Sequence, residues 1–459
     1  MHRSFKRKGI VMTIKRRRFL KKIALASSAA AIAPFTILRA GPAPSDKLNI
    51  ACVGVGGMGS ADADYLASRE NVIALCDVDE QRHKKCIAGK KNLQGIKLWK
   101  DYRVMYDKLG KEIDAFYIAT PEHVHFAVSM FAIKRGIHVY TQKPLCHTLK
   151  EVRVLTEEAR KHKVVTQMGN QGHSSASSAM IRDWVHAGAI GKVREVVAYS
   201  RKNYWTSKPL AGSSPIPEGF DWDLFLNRAE MIPFNIGYIN REWIRYSHFS
   251  GVTGDMGAHI LDGAYYSLDL RVPLSVHAHI DTPPGPGMLP KAGVITWEFG
   301  ARGDMPPVTM QYYLGPEIPY PRPKHLEAGS DASFMDSGSV IVGEHASIKV
   351  GSHSQGARII PEEVMRATPK PKEVAYRCMG RTHHENWTNA IRRIDKEAMS
   401  NFDYAGPLSE IIVLGDIAMM HPNVKLLWDS KNMRITNHEE ADKSMFMRRL
   451  SPRDHMNWI

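Results

Sequence analysis

From Lys47 onward, short β-branched and aliphatic runs alternate with stretches of helical period. That alternation predicts βαβ units on a parallel sheet. "KLNIACVGV" and "ENVIALCDVD" are the first two strands; "IDAFYIATP", "HVYTQKPL" and "VVTQMGNQG" follow, with helices in "EHVHFAVSMFAIKRG" and "LKEVRVLTEEARKHK". Past residue 168 the period becomes two, in "KVREVVAYSRK", "PLSVHAHI", "GVITWEFG", "PVTMQYYLG", "SVIVGEHASIKVG" and "ARIIP", separated by Pro/Gly loops. The prediction is an α/β protein. An N-terminal doubly wound parallel sheet of Rossmann type spans 46–168, and an α+β domain with a large, mainly antiparallel open sheet spans 169–459. The second domain includes a helix near "SSAMIRDWVHAG", an irregular segment over 203–250 expected to cover a cleft, and late helices in "HHENWTNAIRRIDK" and "PLSEIIVLGDIAMM".

Charge changes this picture only at the N-terminus. The formal charge is +15, but residues 1–22 carry ten Lys/Arg and no acid, and removing them leaves +5. The remainder has no basic stripe, so nucleic-acid binding is not predicted. The cationic stretch, the apolar run "IALASSAAAIAPFTIL" and small residues near Ala40 form a secretory signal, so 1–45 is read as signal and linker. "KRRRFLKK" places Arg16 and Arg17 as a twin-arginine motif. The expectation is export of the folded protein by the twin-arginine translocase to the periplasm, with tethering by an uncleaved signal as the variant; Met12 offers an alternative start. Five cysteines without a CxxC pair read as buried small hydrophobes.

Gly54, Gly56 and Gly59 form G-x-G-x-x-G between a strand and a helix, with Gly57 and Met58 inside the turn. Such a turn lets a pyrophosphate sit on the helix N-terminus. Asp77 closes the second strand 18 residues after Gly59, where a carboxylate can accept both ribose hydroxyls, favouring NAD over NADP. Thr120, Pro121, His123 and His125 in "TPEHVHF" lie at another strand's C-terminal edge, and Gln142 and Lys143 in "TQKPL" at the next. Ligands of open α/β sheets bind along this edge. The H-x-H pair is read as cofactor contact, with no metal predicted, and Pro144 admits a cis bond. In "GVTGDMGAHILD", Asp255 and His259 are placed at i and i+4 on one helix, facing the same way. Taken singly, these fit a helix cap and a core histidine better than a catalytic pair. Asn170, Gln171 and His173 in "GNQGHS" end the last parallel strand, towards cofactor or sugar. Trp205, Trp222, Trp243, Arg245 and Tyr246 lie in the irregular segment, where aromatic faces suit the apolar side of a sugar ring. His383 and His384 are read as an ordinary helix start.

Strand-"GVGGMG"-helix, "CDVD", "TPEHVH", "QKP" and "GDMGAH", in this order, resemble the glucose–fructose oxidoreductase/inositol dehydrogenase/rhizopine catabolism (Gfo/Idh/MocA) family over nearly the whole chain after residue 46. The resemblance implies NAD as cofactor and Lys143, Asp255 and His259 as the catalytic set. In that reading His259 takes the substrate hydroxyl proton, Lys143 polarises that oxygen, and Asp255 orients substrate or His259. One departure is Gln142, where the family usually has Glu, so a carboxylate role beside Lys143 is in question. The implied activity is hydride transfer between a sugar or glycoside hydroxyl carbon, such as C3, and tightly bound NAD. The alternatives are an NAD-dependent glycosidase working by oxidation, elimination, hydration and reduction, and a non-catalytic binding protein of the same fold. A homo-oligomer, dimer or tetramer, through the open sheet is expected.

Overall fold

The computed structural model describes residues 47–201, 210, 212–239, 242–322, 324–326, 336–369, 382–447, 453 and 458–459, and the account below concerns these. Arg16, Arg17, Trp205 and Cys378 lie outside them.

Strands β1 (Asn49–Val53), β2 (Asn71–Cys76), β3 (Leu98–Trp99), β4 (Ala115–Ile118), β5 (His138–Thr141) and β6 (Thr166–Met168) form an all-parallel sheet in the order β3-β2-β1-β4-β5-β6. Helices α1 (Met58–Ala67), α2 (Glu80–Ile87), α3 (Tyr102–Leu109), α4 (Glu122–Lys134) and α5 (Leu149–His162) connect them. The strand order reverses between β1 and β4, and a crevice opens there at the strands' C-terminal ends. α5 buries Leu149, Val152, Leu155 and Ala159 on one stripe and is capped by Thr148. α4 is buried along nearly its whole length. A helix apolar on all sides needs neighbours on all sides, and α4 has the sheet, α5 and the 220–250 segment.

After α6 (Ala176–His186), a second sheet collects β7 (Glu195–Ser200), β8 (Pro273–His279), β9 (Gly293–Phe299), β10 (Val308–Leu314), β11 (Ser337–Val342), β12 (Ser347–Gly351), β13 (Arg358–Ile360), β14 (Leu426–Asp429) and β15 (Arg434–Ile435). Their order is β13-β12-β11-β7-β10-β9-β8-β14-β15, and every pairing is antiparallel except β10 with β7. β9 and β10 alternate buried and half-buried positions, as expected of a sheet packed on one face. Inserted before β8 are α7 (Trp222–Leu226), α8 (Gly257–Ile260) and α9 (Asp262–Ser267); α10 (Glu362–Ala367), α11 (His383–Ile391) and α12 (Phe402–Met420) follow β13.

Two late helices tie the sheets together. α12 packs on α5 and β6 and also on β8 and β9, where Trp297 Nε1 donates to Ile411 O at 3.0 Å. α11 returns to the first sheet: Trp387 is fully buried with Cys52, Tyr117 and Tyr140. The last strand of the parallel sheet is Thr166–Met168, and the sheet's core is completed by chain from beyond residue 380. Among the described residues no helix is long and apolar enough to cross a membrane.

Candidate active site

The crevice is a cleft of about 490 Å³ that runs from the glycine turn to α8. At the turn, Gly54 has φ +83, and a Cβ there would meet the Ala119 backbone at 2.6 Å; a Cβ on Gly59 would collide with Gly54 O. Any side chain at either position would displace the turn from β4 or from α1. Gly56, Gly57 and Met58 line the cleft, and α1 starts without a side-chain cap or a first-turn acid, leaving its amides for an anion. Gly59 serves packing and does not line the cleft.

Asp77 lines the cleft at the end of β2. Its Oδ2 accepts from Val55 N at 2.8 Å and its Oδ1 from Asp79 N at 3.0 Å. Each carboxylate oxygen keeps a second acceptor site for a ribose hydroxyl. Burial pushes its pKa up to about 6, against the pull of those two amides. The residue therefore braces the glycine turn as well as facing the crevice. Segment 217–227 closes over this end: Asp221 N donates to Val78 O at 2.9 Å and Glu80 N to Gly219 O at 3.2 Å. Phe220 and Phe225 line the wall, as does Trp458 from the far C-terminus, whose carbonyl accepts from Tyr102 OH at 2.5 Å.

Lys143, Asp255, His259 and Gln171 line the same cleft. Lys143 precedes a cis Pro144, and its ammonium donates to Asp255 Oδ1 at 3.0 Å and to Asp255 O. An ammonium has three N–H groups, so one is left for a substrate oxygen. Asp255 does not lie on a helix as the i, i+4 reading supposed. It sits in turns ahead of α8, where Gly257 N bonds Thr253 O at 2.8 Å, and both Asp255 and His259 line the cleft. The turns are held by two buried carboxyls. Glu122 accepts from Ser250 Oγ at 2.9 Å and Gly251 N at 3.2 Å, and Asp416 accepts from Thr253 N at 2.8 Å and from Thr253 Oγ1. Burial raises Glu122 to about 8, with Lys143 pulling the other way, and Asp416 to about 7.

Several residues read from the sequence as contacts stand behind the wall instead. Thr120 and Pro121 line the cleft, but His123 Nε2–H donates to Phe225 O at 2.8 Å. His125 lies 2.8 Å from Pro144 O and 2.9 Å from Thr120 O, and burial pushes its pKa down to about 4, so its single proton serves one carbonyl at a time. Asn170 Nδ2 donates to Asp262 Oδ1 at 3.2 Å; His173 bonds the same carboxylate at 3.1 Å and stacks on Tyr404 at 4.1 Å. Trp243 lines the cleft. Arg245 instead pairs with Glu242 at 2.6 Å, and Trp222 and Tyr246 are buried in an aromatic cluster. His383 and His384 open α11 behind a capping box of Thr382 and Glu385.

Gln142 lines the cleft, and its amide donates to Asp62 Oδ2 at 3.1 Å and to Tyr117 OH at 3.0 Å, with Tyr117 OH also on Asp62. A Glu here would set two carboxylates against each other in a buried site, so the amide matches the buried acid on α1. Sequence reasoning passed over Glu122, Asp62, His353 and Trp458. No local pattern marks the last three, because the side chains that meet them, such as Tyr117 for Asp62, His259 for His353 and Tyr102 for Trp458, lie far beyond one turn or helix in the chain; Glu122, next to Pro121, was visible as a charge in an apolar helix.

Residues 48–170 match the family described as an oxidoreductase family with an NAD-binding Rossmann fold, and residues 177–288 match its C-terminal alpha/beta domain. The chain is 23% identical over 238 residues to D-glucoside 3-dehydrogenase of Escherichia coli (strain K12), covering 51% of this chain and 58% of that protein. It is 29% identical over 150 residues to inositol 2-dehydrogenase 4 of Saccharopolyspora erythraea (32% and 43%), and 27% identical over 155 residues to glycosyl hydrolase family 109 protein 1 of Akkermansia muciniphila (32% and 32%). Each match spans less than two thirds of the relative's length. Among solved structures, an inositol dehydrogenase homolog from Azotobacter vinelandii complexed with NADH and myo-inositol superposes with TM-score 0.55 at 17% identity, covering 84% of this chain and 98% of that one. The WlbA dehydrogenase from Bordetella pertussis, in complex with NADH and UDP-GlcNAcA, gives 0.57 at 16% identity, covering 83% and 99%. At these identities the likeness is one of fold.

Proposed function

This chain belongs to the Gfo/Idh/MocA oxidoreductase family, with its NAD-binding Rossmann domain, and from that premise we propose that it moves hydride between a sugar or glycoside hydroxyl carbon and tightly held NAD. The observation that supports the reading is that Lys143, Asp255 and His259 line the same cleft as the glycine turn. Bound NAD supplies the hydride acceptor. His259 takes the hydroxyl proton as the carbon gives up its hydride. The third N–H of Lys143 holds the oxygen as it becomes a carbonyl, and Asp255 fixes the ammonium. A glycoside oxidised at C3 is the substrate class we favour, by the likeness to D-glucoside 3-dehydrogenase.

Lys143→Met or His259→Ala should leave NAD bound while slowing turnover by about 10²–10⁴-fold. An unfolded or fully active His259→Ala protein would place the chemistry elsewhere. The likeness to glycosyl hydrolase family 109 protein 1 favours a second reading, an NAD-dependent glycosidase. Incubating holoprotein with α- and β-glycosides separates the two: a keto product with stoichiometric NADH supports the oxidoreductase, and free reducing sugar without net NADH the glycosidase. We further propose export through Arg16 and Arg17; the Arg16→Lys/Arg17→Lys protein should stay in the cytoplasm on cell fractionation, and undiminished export would overturn this.

A further inference from the structure

The imidazole of His259 does not stand alone on its wall. His353, from the loop after β12, lies parallel to it with ring centroids 3.9 Å apart and an interplanar angle of 20°, and both rings line the cleft. His353 is half-buried, so its ring is not a core filler.

The loop that presents this ring is built at a conformational cost. His353 has φ 60 and ψ 29, and Ser354 follows with φ 55, two successive non-glycine residues in the left-handed region. Such backbone persists where the surroundings over-determine it, and it concentrates at functional sites. The surroundings here are specific. A Cβ on Gly172 would collide with His353 O, so the loop can seat only against a glycine. Ser354 is buried, Gly351 N donates to Gln355 O at 2.8 Å, and Ser352 Oγ lies 3.1 Å from His353 Nδ1. These contacts fix where the His353 ring can be, and it sits flat against His259.

We propose that His353 is a positioning residue for His259. Its ring plane backs the base and sets the direction in which the base receives the substrate hydroxyl proton. The inference rests on His259 being that base. It adds that the second domain's sheet, through one loop, determines the aim of a group that sits on α8. A parallel imidazole leaves His259 the in-plane direction of its nitrogens and removes rotation about χ2, which is the freedom that would misdirect the proton transfer.

The test separates face from nitrogen. His353→Asn removes the ring while remaining at ease in the left-handed region, and His353→Phe keeps the flat face without a ring nitrogen. With glycosides and the NAD-loaded protein, His353→Asn should lower kcat by about 10- to 100-fold, the scale of a misplaced catalytic group, with KM and NAD affinity little changed. His353→Phe should stay within about threefold of the parent, since the stacking face remains. Melting temperatures identify any variant that has lost its fold, and His353→Gly, which relieves the left-handed backbone, then serves as the ring deletion. An unchanged kcat in the ring deletion, a loss confined to KM, or a Phe variant as slow as the deletion overturns the proposal. His259→Ala measured alongside keeps the two readings apart. If it too is fully active, the assignment of the base fails; if it is slow while both His353 variants match the parent, only the role of His353 fails.

Discussion

Gln142 shows how one atom exchanged for another reports on a neighbour far away in sequence. Its amide nitrogen lies 3.1 Å from the buried Asp62 carboxylate, a distance at which two acids could not both ionise. Gln142→Glu should therefore lower the melting temperature at neutral pH, by roughly 1–3 kcal/mol of stability, the scale of an unmet buried polar group. Adding Asp62→Asn should restore most of it. A Glu variant as stable as the parent at pH 7 would overturn this account of Gln142. Asp77 carries two duties at once, bracing Val55 N and facing the crevice. Asp77→Ser should weaken NAD by about 1.5–3 kcal/mol for each charge-assisted bond lost and relieve repulsion of the 2′-phosphate of NADP. Titration with both nucleotides reads this directly, and unchanged NAD affinity would assign the ribose to another group.

At the scale of elements, the turns that carry Asp255 hang between α4 and α12 on Glu122 and Asp416. Both carboxyls keep their protons in the folded protein to about 8 and about 7, whereas in an unfolded chain they ionise near 4.5 and 3.8. The folded state then binds more protons over that range, so the stability these groups contribute is present in acid and is lost as pH rises through 7 to 8. His125 and His383, pushed down to about 4 and about 3 by burial, act in the opposite sense: their contribution is present above 6.5 and is lost as pH falls. From these groups, melting temperature should decline between pH 6.5 and 8. Glu122→Gln, which keeps an acceptor for Gly251 N but cannot ionise, should flatten that decline. A parent-like slope in the variant would show that Glu122 is already ionised at neutrality.

For the whole molecule, the consequence of the fold is enclosure of the nucleotide end. Segment 217–227 bonds to the end of β2, and Trp458 comes from the opposite end of the chain to line the same cleft. If NAD is retained through successive reactions, as proposed above, these parts are the ones that would hold it in the cleft. NAD should survive desalting of the purified protein. Trp458→Ala should speed its release by roughly tenfold or more, since removal of a buried aromatic contact is worth about 1.4 kcal/mol or above. Stopped-flow fluorescence of bound NADH measures the rate, and an unaltered one would show that the C-terminal wall does not gate the site.

What the sequence determined by itself was whatever depends on near neighbours. The period of apolar positions marked both sheets, and the spacing of Gly54, Gly56 and Gly59 after β1 placed the phosphate turn, because a turn and the helix that follows it are set within about ten residues. The Lys143 turn and the "GDMGAH" stretch were legible for the same reason. Tertiary structure alone decided which polar side chains face the cleft and which support it. His123, His125, Asn170 and His173 look like contacts from their places at strand ends, yet each finds a carbonyl or carboxylate behind the wall. A buried donor must be satisfied wherever the fold offers a partner, and no local pattern records the address. His353 and Trp458 enter the site for the converse reason: chain that is distant in sequence is brought to α8 and to Tyr102 of α3, a long-range result that periodicity does not encode.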